Sequence, residues 1–189
     1  MLLRLLLCCC VFLLAGCEQK KTFANVDITG AEYAQKLNLT DHHGKKRSLA
    51  DFKGRAVLVF FGYTQCPDVC PTTMTEMAAI MKKLGSRAEQ LQVIFVTLDP
   101  ERDTQALLAQ YVPAFDQRFL GMYGSLKETE EAAREFHIFF KKVMPKEGAH
   151  YTIDHTAGSY LFDKDGRVRL FIRYNQPQES ILRDLEQLL

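Results

Sequence analysis

Ala56-Val57-Leu58-Val59-Phe60-Phe61-Gly62-Tyr63-Thr64-Gln65-Cys66-Pro67-Asp68-Val69-Cys70-Pro71 is the stretch from which the rest of this chain is read. Ala56–Phe61 is an unbroken apolar run of strand length, as expected of a strand buried on both faces of a sheet. Two cysteines with three residues between them follow, where strand should give way to helix. Pro71 favours a helix beginning there, because proline lacks an N–H and clashes with the preceding turn when set deeper. Cys70 then becomes the N-cap, in the extended geometry usual before a proline. Its sulfur should face unpaired N–H groups and the positive end of the helix dipole, and so favour thiolate. Cys66 lies on the loop leading in. Such a pair can pass electrons as a dithiol/disulfide couple or hold a soft metal ion.

Outward from this stretch, local signals set the element order. On the N-terminal side, Leu37–Thr40 and Arg47–Leu49 flank a turn at His42-His43-Gly44 and predict a β-hairpin. On the C-terminal side, Met74, Met77, Met81 and Leu84 recur at helical spacing. Leu91–Leu98 reads as a second buried strand, Thr104–Val112 as a short helix and Leu126–Phe136 as another. Ser159–Phe162 and Val168–Ile172 bracket the turn Asp163-Lys164-Asp165-Gly166, a second hairpin. Glu179–Leu189 closes the chain as an amphipathic helix. A βαβ unit followed by an antiparallel hairpin and a last helix outlines an α/β, thioredoxin-like fold. Its central mixed sheet would be flanked by helices and extended by the N-terminal hairpin. The cysteine loop would then sit at the C-terminal edge of the sheet, where open α/β folds bind ligands.

The N-terminus reads differently. Residues 1–16 carry one cation, Arg4, and an apolar run too short to span a bilayer, which is the pattern of a secretory signal. Leu14-Ala15-Gly16-Cys17 resembles a bacterial lipobox, which would make Cys17 the acylated first residue of the mature protein. Residues 17–30 read as a lipidated tether and 31–189 as the folded domain. Of six cysteines, Cys8, Cys9 and Cys10 would leave with the signal and Cys17 would carry lipid, so only Cys66 and Cys70 remain as thiols. In an exported, oxidising compartment an idle pair would tend to close into a Cys66–Cys70 disulfide. The chain has 24 basic and 23 acidic residues, and loss of Arg4 would leave the two equal. With no basic stripe, nucleic-acid binding is not expected, and membrane contact should come from the lipid.

For a metal, two thiolates suffice for linear Cu(I), but a third ligand makes a firmer site. His155 is the best candidate, because a thioredoxin-like layout brings its loop beside the helix N-terminus. A packing or solvated histidine is an equal reading from the residues alone. The absence of a third thiol favours copper over structural zinc. A purely structural disulfide is the plainer alternative for the cysteines. His42 and His43 read as polar turn residues, and His137 and His150 as structural or solvated. The methionine stripe could hand on Cu(I), but core packing explains its period. Asp103 can cap the helix at Thr104. Asp99, Asp103 and Asp154 are candidates to support the ligands from behind.

Three segments together resemble the Sco/SenC family of copper-binding cytochrome oxidase assembly factors. They are Phe61 through Pro71, Val96-Thr97-Leu98-Asp99-Pro100-Glu101-Arg102-Asp103-Thr104, and Asp154-His155-Thr156. The resemblance runs from about Leu37 to the C-terminus. It implies a thioredoxin fold binding one copper, Cu(I) or Cu(II), through Cys66, Cys70 and His155. It implies as partners the copper-bearing subunit of cytochrome c oxidase and other copper carriers, the chain acting as a monomer. The role would be copper delivery or, alternatively, thiol–disulfide exchange by Cys66 and Cys70 on that subunit's cysteines or in oxidative-stress defence. With its lipobox, the chain is expected at the extracytoplasmic, periplasmic face of a bacterial membrane.

Overall fold

The structure, a computed structural model, describes residues 21–144 and 150–189. Strand β4 (Ala56–Gly62) is buried at every position. Its even-numbered residues Leu58 and Phe60 join one core cluster, and its odd-numbered Val57, Val59 and Phe61 join the other. The two-residue period of a strand thus explains the continuous apolar run, since each alternate residue meets a different helical layer.

Around β4 runs an eight-stranded mixed sheet. On one side β4 pairs in parallel with β5 (Leu91–Thr97), which pairs in parallel with β6 (Leu120–Tyr123). The N-terminal hairpin of β2 (Asn38–Asp41) and β3 (Lys46–Ser48) extends that edge antiparallel to β6. On its other side β4 pairs antiparallel with β9 (Gly158–Phe162), followed by β10 (Val168–Arg173) and β1 (Val26–Asp27). Helices α1 (Val69–Leu84), α2 (Gln105–Tyr111) and α4 (Gln178–Leu188) contribute to one core, and α3 (Leu126–Glu135) packs into the other. Met74, Met77 and Met81 are all buried, so the methionine stripe is core. No helix among the described residues is long and apolar enough to cross a membrane.

Three features depart from the sequence reading. First, α1 begins at Val69 with Asp68 as N-cap, and Cys70 and Pro71 lie inside its first turn. The first amides of a helix have no acceptor within it, so proline is tolerated across the whole first turn. Second, the described part of the stretch read as a tether is joined to the domain. The N–H groups of Ala24 and Asn25 donate to the buried Asp184 carboxylate on α4, and Val26–Asp27 pair with β10. Residues 1–16 and Cys17 lie outside the described residues. Third, β7 (Phe140–Val143) and β8 (Thr152–His155) form a separate antiparallel ribbon that periodicity did not reveal. Its residues are largely exposed and polar, with no clear alternation to read.

His42 is also more than a turn residue. It is buried, and its Nδ1 accepts a hydrogen bond from the Gly121 amide at 3.0 Å. Its Nε2 lies 3.0 Å from Nε2 of His43. Since Nδ1 accepts, neutral His42 carries its proton on Nε2 and donates to His43.

Candidate metal centre

At the end of β4 the chain turns sharply, and the Cys66 amide donates back to the Tyr63 carbonyl at 3.2 Å. The turn is held from below by Asp103. Its carboxylate accepts from the Thr64 amide at 2.9 Å, the Thr64 hydroxyl at 2.6 Å and the Thr97 hydroxyl at 2.6 Å. Helix α2 is capped instead by Thr104, whose hydroxyl accepts from the Leu107 amide. The expected N-cap is therefore displaced by one residue, and Asp103 is freed to tie β5 to the cysteine loop.

Cys70, in the first turn of α1, is fully buried, whereas Cys66 is partly exposed. Both are free thiols, and the Cys70 amide donates to Cys66 Sγ at 3.4 Å. Gly62 makes room for the buried sulfur: a Cβ there would lie 2.7 Å from Cys70 Sγ.

The third side chain arrives on the ribbon. His155 ends β8, and its Nε2 lies 3.7 Å from Cys70 Sγ across 85 residues of sequence. Its Nδ1 is 3.1 Å from the Thr156 carbonyl, which fixes a proton on Nδ1 and leaves the Nε2 lone pair facing the sulfurs. Edge-on rings of Phe60 and Tyr63 flank the imidazole, at centroid distances of 6.4 and 6.1 Å. The ribbon is anchored here by the Ile153 amide, which donates to the Tyr63 hydroxyl at 3.2 Å.

The ligand atoms of Cys66, Cys70 and His155 all lie within 4.8 Å of one another. A cation with bonds of about 2.3 Å to sulfur and 2.0 Å to nitrogen, at a trigonal angle, separates those two atoms by about 3.7 Å. The observed Cys70–His155 spacing therefore fits one shared ion. Among the described residues these three form the sole His/Cys/Asp/Glu group of metal-holding geometry. A fourth ligand for closed tetrahedral zinc is missing from that group, and two sulfurs with an imidazole suit copper.

Proton affinity divides the cysteines opposite to the expectation from Pro71. The Cys66 thiol is pushed down, chiefly by the hydrogen bond from Cys70, and Cys70 is pushed up by that same bond and by burial. The two sulfurs share one proton. The first is lost readily, while the second is retained at the buried sulfur because a second adjacent thiolate would lack solvation.

Of the supporting carboxylates, Asp99 is fully buried, accepts from the Tyr151 hydroxyl at 2.8 Å and pairs with Arg102. Asp103 holds the loop as described, and burial pushes its carboxyl up. Asp154 is exposed and, next to His155 on one strand, points to the opposite face of the ribbon. Sequence reasoning passed over Gly62, Thr64, Arg102 and Tyr151. The first three lie inside the quoted segments, but a role that depends on packing has no local signature.

The family description SCO1/SenC matches residues 26–189. The human protein SCO2 homolog, mitochondrial, is 36% identical over 147 residues, covering 77% of this chain and 55% of that protein. The chain thus spans just over half the length of that relative. A solved structure of Bradyrhizobium japonicum ScoI with copper bound is 38% identical, with a TM-score of 0.74, covering 82% of this chain and 98% of that one. The solution structure of apo Sco1 from Thermus thermophilus is 34% identical, with a TM-score of 0.78, covering 90% of this chain and 99% of that one.

Proposed function

This chain belongs to the SCO1/SenC family, and from that premise we propose that it is a copper metallochaperone serving assembly of cytochrome c oxidase. The observation that carries the proposal is the convergence of Cys66 Sγ, Cys70 Sγ and His155 Nε2 within 4.8 Å. Copper is the cargo. Cys70 supplies a buried anchor, Cys66 a readily ionised thiolate, and His155 an imidazole whose Nε2 faces the sulfurs while its Nδ1 is hydrogen-bonded to the Thr156 carbonyl. Because Cys66 and His155 are partly exposed, an acceptor's thiolates reach the ion from their side, and Cys70 is the last ligand to let go. The acceptor is the oxidase's copper-bearing subunit, with other copper carriers as donors. The protein works as a monomer, held by lipid on Cys17 at the extracytoplasmic face of a bacterial membrane.

A second reading rests on the shared proton and the Cys70 amide bond to Cys66 Sγ. Reduced Cys66 and Cys70 can pass two electrons and the one proton they hold to a partner disulfide, which takes its second proton from water, while their own disulfide closes in return. Anaerobic Cu(I) titration of the reduced protein, with X-ray absorption to identify ligands, tests the first reading. One copper with two sulfurs and one nitrogen is expected, with binding lost in Cys66→Ser and Cys70→Ser and weakened in His155→Ala. Unchanged affinity in His155→Ala would remove the three-ligand site. Full oxidase assembly by His155→Ala, but none by either cysteine variant, would favour thiol exchange.

A further inference from the structure

The ribbon that carries His155 is hydrogen-bonded as its own two-stranded sheet, separate from the main one. Its C-terminal end runs through Thr156 and Ala157 into β9 of the main sheet, so what holds its upstream part over the cysteine loop is side-chain contact, including the buried Ile153. Arg102, in the connection between β5 and α2, makes the densest set of these contacts. Its Nε pairs with the buried Asp99 carboxylate. Its Nη1 donates to the Tyr151 carbonyl at 2.9 Å and to Gln65 Oε1 at 3.1 Å. Its guanidinium also stacks 3.6 Å from the centroid of the Tyr151 ring and 5.8 Å from that of Tyr63. Tyr151 closes the circuit by donating its hydroxyl to Asp99 at 2.8 Å. Gln65 adjoins Cys66, and Tyr151 immediately precedes β8, which ends at His155.

We infer that Arg102 is a positioning residue that clamps the cysteine loop and the histidine ribbon to one another, setting the ligand spacing before copper arrives. The guanidinium is mostly shielded, with its side chain 16% exposed, so this is not a solvated surface pair of negligible weight. The contacts use both a planar donor fork and a stacking face, which a lysine ammonium cannot reproduce. The cost of shielding is also incompletely offset, because Nη2 is buried without a partner. A shielded ion pair whose desolvation is incompletely offset is weak evidence of net stabilisation in itself, which fits a residue retained for geometry.

This inference rests on the copper-binding reading, so its test has a copper-free arm. In the reduced, metal-free full chain, Arg102→Lys keeps a cation beside Asp99 but loses the fork and the stack. Amide hydrogen exchange should quicken at both Cys66 and Ile153, with the protection of Val59 and Phe95 unchanged. In the Cu(I) arm, affinity should fall roughly 10–100-fold, the range for loss of a group that orients metal ligands. The nitrogen scatterer seen by X-ray absorption should weaken, which a purely stabilising role would not cause. Wild-type exchange at both amides together with wild-type Cu(I) affinity would overturn the clamp. If the wild type takes up no Cu(I), the proposed function fails and the exchange arm still decides the clamp. Should Arg102→Lys not fold, Gln65→Ala severs the exposed arm alone; faster exchange at Cys66 supports the clamp, and no change refutes it.

Discussion

Gly62→Ala tests whether the position of the buried sulfur is set by close packing at the end of β4. The added methyl carbon would lie 2.7 Å from Cys70 Sγ and 3.0 Å from ring carbons of Phe60 and Phe95. Comfortable contacts between such atoms begin at roughly 3.5 Å, so the sulfur or the strand must give by about 1 Å. Phe60 and Phe95 are both buried and cannot swing away, and Cys70 is fixed in the first turn of α1. Overpacking of this kind costs about 1–3 kcal/mol, or about 2–4 °C in Tm for each kcal/mol in a domain of this size. The Cu(I) affinity should fall more steeply, because a 1 Å misplacement of a preorganised group can cost on the order of 100-fold. Thermal unfolding of the metal-free protein and competition with a chromophoric Cu(I) chelator measure the two effects. Wild-type values in both would refute the claim that Gly62 sets the place of Cys70, and lost stability with full affinity would separate packing from ligation.

Because the first proton leaves the pair readily and burial keeps the second on Cys70, a thiol-alkylating reagent at neutral pH should mark Cys66 first. Peptide mass spectrometry at short times decides it, and equal or Cys70-first labelling would contradict the assignment. Stability should fall with acid in two windows. The His42 pKa is lowered, by burial and then by the charge of His43, so the unfolded chain takes up the proton first. That contribution is complete above about pH 6.5 and is lost as pH drops through the lower folded value. For Asp41, burial raises the pKa but is outweighed by bonds from the Arg47 side chain and the Lys45 and His43 amides, for a net lowering. Its contribution holds above about pH 4 and disappears below. Urea midpoints across this range should show both declines. The first should shrink in His42→Leu, a variant that itself costs about 1–3 kcal/mol by leaving the Gly121 amide unpaired.

Legibility followed the range of the physical signal. Ala56–Phe61 announced a strand covered on both faces because each residue sees one of two apolar layers, and β4 is buried throughout. The turn at Asp163–Gly166 and the helices α3 and α4 followed from turn chemistry and period. Helix α1 was legible, but its first residue was not, since a proline is compatible with several positions in a first turn. The ribbon β7–β8 escaped because its two strands are only four residues each and mostly polar and exposed, too short for an apolar alternation to register. Strand β1 escaped because its two residues are exposed and are set by pairing with β10, contributed from near the far end of the chain.

For the site, the sequence by itself determined the chemistry: two thiols in one loop and an imidazole beyond it, since residue type fixes which atoms can ionise or ligate. Only the tertiary structure decided that these atoms meet, with His155 Nε2 brought 3.7 Å from Cys70 Sγ. It also decided which sulfur keeps the proton, because burial and neighbouring donors set that balance. Local sequence governs local backbone and reactivity, but the position and solvation of a side chain are properties of everything packed around it.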